Sequence, residues 1–144
     1  MIFGRILRIW RNLGRVDPPV LVERNLAGLD LGGANMSRAD LRRARLQAAN
    51  LTGSSLESAD LRDADLTGAY LCCARARGAD LRGAVVNDAD LEMADFRNAD
   101  LRGARLASAR MDGIVLTGAR ILADDVQGNA YSAHQLSSMR IDPA

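Results

Sequence analysis

Apolar residues recur at every fifth position from Leu26 to Ile121, with no insertion or slip. In a helix, five steps of about 100° carry successive apolar residues to different sides of the cylinder. In a flat strand an odd spacing alternates them between the two faces. Neither element buries such a pattern. With the apolar residue taken as centre, residues 24–123 divide into 20 pentapeptides. The centre is Leu in 14 of them, and Met36, Ala76, Val86, Phe96, Met111 or Ile121 in the others. Ala stands two residues before the centre in 16 of the 20, Asp or Asn one before it in 11, and Gly two after it in nine. A longer period overlies the short one: "ADLR" occurs at Ala39–Arg42, Ala59–Arg62, Ala79–Arg82 and Ala99–Arg102, 20 residues apart. Four pentapeptides per superperiod predict a coil with four corners, each side turning one centre inward. About five such coils, stacked about 4.8 Å apart, would make a rod roughly 24 Å long.

The repeated unit, A(D/N)LXX, resembles that of the pentapeptide repeat family. The resemblance implies an all-β chain, a right-handed quadrilateral parallel β-helix, with Ala and the central Leu inside and the other three positions toward solvent. Elementary packing agrees. A narrow interior suits one large and one very small side chain per side. Gly reaches corner dihedrals that other residues adopt with strain, and Asp or Asn bonds nearby backbone N–H groups at turns.

The ends break the period. Residues 1–19 read as an amphipathic helix followed by a Pro18–Pro19 stop, residues 20–123 as the β-helix, and residues 124–144 as a C-terminal cap and tail. Over Met1–Val16, Arg5, Arg8, Arg11, Arg15 and Asn12 share one arc, while Phe3, Leu7, Trp10 and Leu13 lie among the apolar residues opposite. Three uses fit such a helix: a cap or self-association surface, an anchor on a membrane surface or in a partner's groove, or a flexible arm. "VLVERN" from Val20 reads as a strand leading into the first coil. Ser132 is placed to cap a short helix running to about Met139, with Leu136 facing the rod.

Composition narrows the chemistry. Hydrophobic residues make up 48% of the chain but aromatics only 3%, so the core must be built of Ala and Leu. Net charge is +1, which gives no global pull toward nucleic acid. Read as columns, the ADLR side carries Asp40, Asp60, Asp80 and Asp100 beside Arg42, Arg62, Arg82 and Arg102, a face expected to be solvated and self-neutralising or else to dock a charged partner. Some proteins of the resembled family imitate duplex DNA, bind DNA gyrase and confer quinolone resistance. That activity relies on an acidic rod, whereas residues 24–123 hold 14 Arg against 13 Asp and Glu. Inhibition or protection of gyrase therefore stands only as a lesser alternative. The side centred on Leu31, Leu51, Leu71, Leu91 and Met111 is less charged, and its outward residues Tyr70, Cys72, Cys73 and Met93 form a candidate contact patch.

Cys72 and Cys73 make no disulfide framework, and with one histidine, His134, they complete no metal site. No catalytic constellation, cofactor motif or nucleotide loop is present, so neither enzyme activity, cofactor nor small-molecule substrate is expected. No apolar run reaches transmembrane length. The adjacent thiols and the absence of a signal peptide point to the cytoplasm, with its membrane face as the location if the N-terminal helix is an anchor. The leading expectation is a non-catalytic rod that presents side-chain columns to a protein partner or to another copy of itself. A peripheral membrane protein is the second reading.

Overall fold

The computed structural model describes residues 18–129 and 131–143. The helix expected over 1–16, with Phe3, Arg5, Leu7, Arg8, Trp10, Arg11, Leu13 and Arg15, lies outside them.

The five-residue frame is built from one repeated turn. In each unit the carbonyl of the centre accepts the N–H three residues on, as in Ala64 N to Leu61 O (3.0 Å) and Ala69 N to Leu66 O (2.9 Å). The residue two after the centre has positive φ at every unit from Glu23 to Gly118, between +53° and +72°. This is the hydrogen bond and the left-handed third residue of a type II turn. Gly fills nine of these positions, and Arg, Asp, Ser, Ala, Cys, Met, Asn or Glu the other eleven. The Asp or Asn before the centre fixes the approach to the turn. In all 11 units that carry one, its Oδ1 accepts the N–H of the residue just after the centre.

Coils pair with an offset of 20 residues. Parallel bridges run from Val20↔Asp40 to Asp100↔Arg120, one per side of each coil. Every side repeats the same three bonds. Leu61 N donates to Asp80 O (2.8 Å), Asp63 N to Arg82 O (3.0 Å), and, from the coil above, Asp80 N to Ala59 O (2.9 Å). The described chain is thus a four-sided parallel solenoid. Its interior is a stack of centres with the small residues between them; Leu41, Leu61, Leu81, Leu101 and Ile121 form one column, exposed by 1% or less. Phe96 sits in the column of Met36, Leu56, Ala76 and Leu116, and the small Ala76 one coil below leaves room for its ring. Ser54 takes an interior Ala position, and its fully buried hydroxyl has no partner.

The ends differ from the sequence expectations in three ways. Val20 bridges Asp40 and Leu21 N donates to Asp40 O (2.7 Å), so "VLVERN" is itself the first side of the first coil rather than a strand leading into it. After β1 (Arg120–Leu122) comes a helical turn, α1 (Asp125–Gly128), that periodicity does not signal. Beyond α2 (Ala133–Ser138), the tail returns as β2 (Arg140–Asp142), pairing in parallel with β1 through Ile121↔Ile141. Ser132 caps α2 with a reciprocal Ser132–Gln135 capping box, and Leu136 packs on the core. Met111 and Ile114, in the last coil, are only half-buried because no further coil covers that side.

Candidate functional site

The ADLR side is a continuous ladder of ion pairs. Arg42 Nε donates to Asp40 Oδ1 (2.8 Å) and its Nη2 to Oδ2 (2.7 Å). Arg62 with Asp60, Arg82 with Asp80 and Arg102 with Asp100 repeat this two-point geometry. Each carboxylate also takes the backbone N–H of its arginine, so the pair is anchored at three points. The coils are then linked crosswise: Arg42 Nε lies 3.7 Å from Asp60, Arg62 Nε 3.7 Å from Asp80 and Arg82 Nε 3.9 Å from Asp100. The carboxylates are not fully exposed, as a solvated face would have them. Their side chains are 17–29% exposed because the guanidinium and the turn backbone cover them.

Three residues that the ladder motif does not reveal, Arg120, Arg140 and Asp142, close it off. Asp142 of β2 receives Arg120 Nη2 at 2.6 Å and Arg140 Nε at 3.2 Å, with Arg102 at 3.8 Å. The order is reversed there: arginine precedes the centre and the acid follows it. A second cluster, Arg77 and Arg97 on Asp95, lies on another side. Its motif was visible in the sequence, since Ala94–Arg97 is ADLR with Phe at the centre.

Electrostatics follow the geometry. The hydrogen bonds from Arg42 hold the Asp40 carboxyl below the usual carboxylate range, and those from Arg62 do the same for Asp60. At Asp100 burial is the largest influence and works to raise the value, but the Arg102 bonds and the nearby arginines together outweigh it. Arg120 likewise holds Asp142 low.

The side centred on Leu71 is of another kind. Tyr70 is 53% and Met93 61% exposed, on adjacent coils, with the exposed Cys73 between them at a left-handed corner. Cys72 Sγ and Cys73 Sγ lie 3.5 Å apart. This bond, burial and the neighbouring Asp90 and Glu92 push the Cys72 thiol up, so it stays protonated and weakly nucleophilic near neutrality. Asn50 and Thr52 flank the patch one coil below. One coil above, Asp90 and Glu92 are both held by Arg110, at 3.1 and 2.8 Å. An open groove of about 510 Å³ lies further along, between Met111–Ile114 and the start of α2, with Asp112 and His134 among the residues that line it. Among the described residues no group of three His, Cys, Asp or Glu could hold a metal ion, and no helix is long and apolar enough to cross a membrane.

The coil, its turn and its ladders define a pentapeptide solenoid, and comparison with known proteins agrees. A family profile described as pentapeptide repeats matches in eight copies between residues 25 and 118, more than half of the chain. The chain belongs to the pentapeptide repeat family, whose members fold as right-handed quadrilateral β-helices. Among solved structures it is similar to the pentapeptide repeat protein Rfr23 of the cyanobacterium Cyanothece 51142, at 27% identity over 84% of this chain and 95% of that one, with a TM-score of 0.43. It is also similar to alr5209 of Nostoc Pcc 7120, at 25% identity over 96% and 94%, TM-score 0.30. A trypsin-treated form of QnrB1, a plasmid-mediated fluoroquinolone resistance protein, matches at 18% identity over 90% and 86%, TM-score 0.36. No curated protein matches the chain.

Proposed function

We propose that this chain is a non-catalytic interaction module: a rigid rod, right-handed like its family, that binds a protein partner along the side carrying Tyr70, Cys73 and Met93. The observation that carries this reading is the exposure of Tyr70 (53%) and Met93 (61%) on adjacent coils whose interiors are fully packed. A stiff backbone spares the cost of ordering a loop on binding, and Tyr and Met are enriched among interface residues. The ladder supports contact with protein over imitation of duplex DNA. Each carboxylate that would stand for a phosphate there is matched by a guanidinium at 2.6–2.7 Å. A cytoplasmic location accords with the two free thiols beside the patch.

The test is affinity capture from the native host with the wild-type chain, a Tyr70→Ala/Met93→Ala double variant and an Arg77→Ala variant on another side. The reading expects one specific captured protein to be lost with the double variant and retained with Arg77→Ala. Equal capture by all three would overturn it.

A further inference from the structure

The chain's two cysteines are the two central residues of one turn, Leu71–Ala74. Its backbone is that of every other corner. Ala74 N–H donates to Leu71 O (2.9 Å), and Cys73 takes the left-handed third position at φ +58°. The neighbouring coils hold it from both sides: Cys73 N–H donates to Glu92 O, and Gly53 N–H donates to Cys72 O, both at 2.9 Å. Between these fixed points the two side chains emerge together, with their Sγ atoms 3.5 Å apart. The sulfurs touch, and a covalent S–S bond of about 2 Å needs them to approach by only about 1.5 Å.

Three features set this corner apart. It is open. Cys73 is exposed, and one coil below stands Gly53, which has no side chain and where even a Cβ would meet nothing within 4 Å. One coil above, the Met93 side chain turns away toward Gly113, with its sulfur where a Cβ on that glycine would sit. A small solute therefore reaches Cys73 from either side. The corner is also less tightly tied than most. Tyr70 stands where 11 of the 20 units carry Asp or Asn, and among the described residues the Cys72 N–H has no acceptor. The side-chain bond that pins the first half of those turns is missing, which leaves the Cys72 backbone room to adjust. Finally, the two thiols are unequal. Contact with Cys73, then burial, holds the proton on Cys72, so the exposed Cys73 is the sulfur that attacks.

We propose that Cys72 and Cys73 form a reversible oxidation site for peroxide, closing to a vicinal disulfide across this corner. The Cys73 thiolate attacks one oxygen of hydrogen peroxide and the O–O bond breaks. The departing hydroxide becomes water with the proton that Cys73 has released, and Cys73 is left as a sulfenic acid. The Cys72 sulfur then attacks the Cys73 sulfur, the S–O bond breaks, and the second hydroxide leaves as water with the Cys72 proton. Two thiols have lost two electrons and two protons, and one peroxide has become two waters. Cys72 outcompetes any thiol of a second chain, because a group held in contact acts at an effective concentration of at least about millimolar against micromolar protein. The ring is also easily reopened. Adjacent Cα atoms are about 3.8 Å apart, short of the about 4.4–6.8 Å that disulfides usually span, and strained disulfides are the readily reduced ones. Neither sulfur belongs to the core, so the coil stays folded in both states. The ring closes between Tyr70 and Met93, but the site does not depend on a partner binding there.

The tryptic peptide 63–75 contains both cysteines and no methionine, so its mass reports on this site alone. The full chain is treated with one equivalent of hydrogen peroxide, alkylated with iodoacetamide and mapped by mass spectrometry. Cys72→Ser and Cys73→Ser variants are treated alongside, with dimedone present to trap sulfenic acid. In the wild type the expected product is a monomer whose peptide 63–75 has lost two hydrogens and takes no alkyl group, and dithiothreitol restores both alkylation sites. Cys72→Ser should accumulate a dimedone adduct on Cys73, and Cys73→Ser should react several-fold more slowly. A wild-type product cross-linked between two chains, a Cys73 sulfinic acid in place of the ring, or two thiols that peroxide leaves unchanged would each overturn the proposal. Equal labelling of the two variants would overturn the assignment of Cys73 as the attacking sulfur.

Discussion

Ser54 shows how tightly each position is specified. It stands where 16 of the 20 repeats carry Ala, and its buried hydroxyl bonds to nothing. Ser54→Ala is therefore expected to stabilise the fold by about 1 kcal/mol, read from the urea midpoint. The corner position is equally sensitive, for a backbone reason. Ala48 and Gly68 occupy the same corner on successive coils, at φ +53° and +64°. A Cβ at Gly68 would meet nothing within 4 Å, so only the backbone conformation is at issue. Ala48→Gly should gain, and Gly68→Ala should lose, about 0.5–1 kcal/mol. At Asp60 the two roles of the carboxylate separate. Asp60→Asn keeps the acceptor for Arg62 N–H and should change stability by less than about 1 kcal/mol; Asp60→Ala loses the turn bond too and should cost about 1–2 kcal/mol. Because Asp40, Asp60 and Asp100 are held below their unfolded-state values, their stabilisation is complete above about pH 4 and is lost as pH falls through the folded-state values. Urea titrations should show stability level from neutrality to about pH 5 and falling below about pH 4, with a shallower acid limb in Asp60→Asn.

At the level of elements, the sides of the rod and the Ser132-capped helix were legible in the sequence, and the rest of its C-terminal end was not. Leu centres, Ala neighbours and ADLR repeats each recur often enough to reveal which way they point. The ion-pair partners on the ADLR side follow from that register, because residues two apart across an inward centre must emerge side by side. The half-burial of the carboxylates did not follow, since it depends on how the guanidinium folds back over the turn. Asp142, Asn129 and β2 were invisible for a different reason: each acts once, where the chain turns back on its own last coil, and no periodicity marks it. Their weight is still measurable. Asn129 bonds Leu106 N, Ala104 O and Asp125 O, so Asn129→Ala should cost about 1–3 kcal/mol, with faster amide exchange at Leu106 and no change at mid-rod amides such as Leu61.

For the whole molecule, the claim on which the other conclusions depend is that one coil is 20 residues and each coil is interchangeable with its neighbours in register. Each coil contacts only the coils before and after it, so the rod should behave as a stack of nearest neighbours. Removing Leu61–Asp80 joins Asp60 to Leu81, restores an ADLR sequence and returns every later residue to the same side, one coil lower. Removing Leu61–Gly78 leaves the later residues two positions out of frame and turns centres toward solvent. The direct measurement compares the two deletions by urea unfolding and small-angle scattering. The 20-residue deletion should unfold cooperatively and be shorter than the full chain by about 4.8 Å, while the 18-residue deletion should fail to fold. A 20-residue deletion that unfolds like the 18-residue one, or that keeps the full rod length, would contradict the coil.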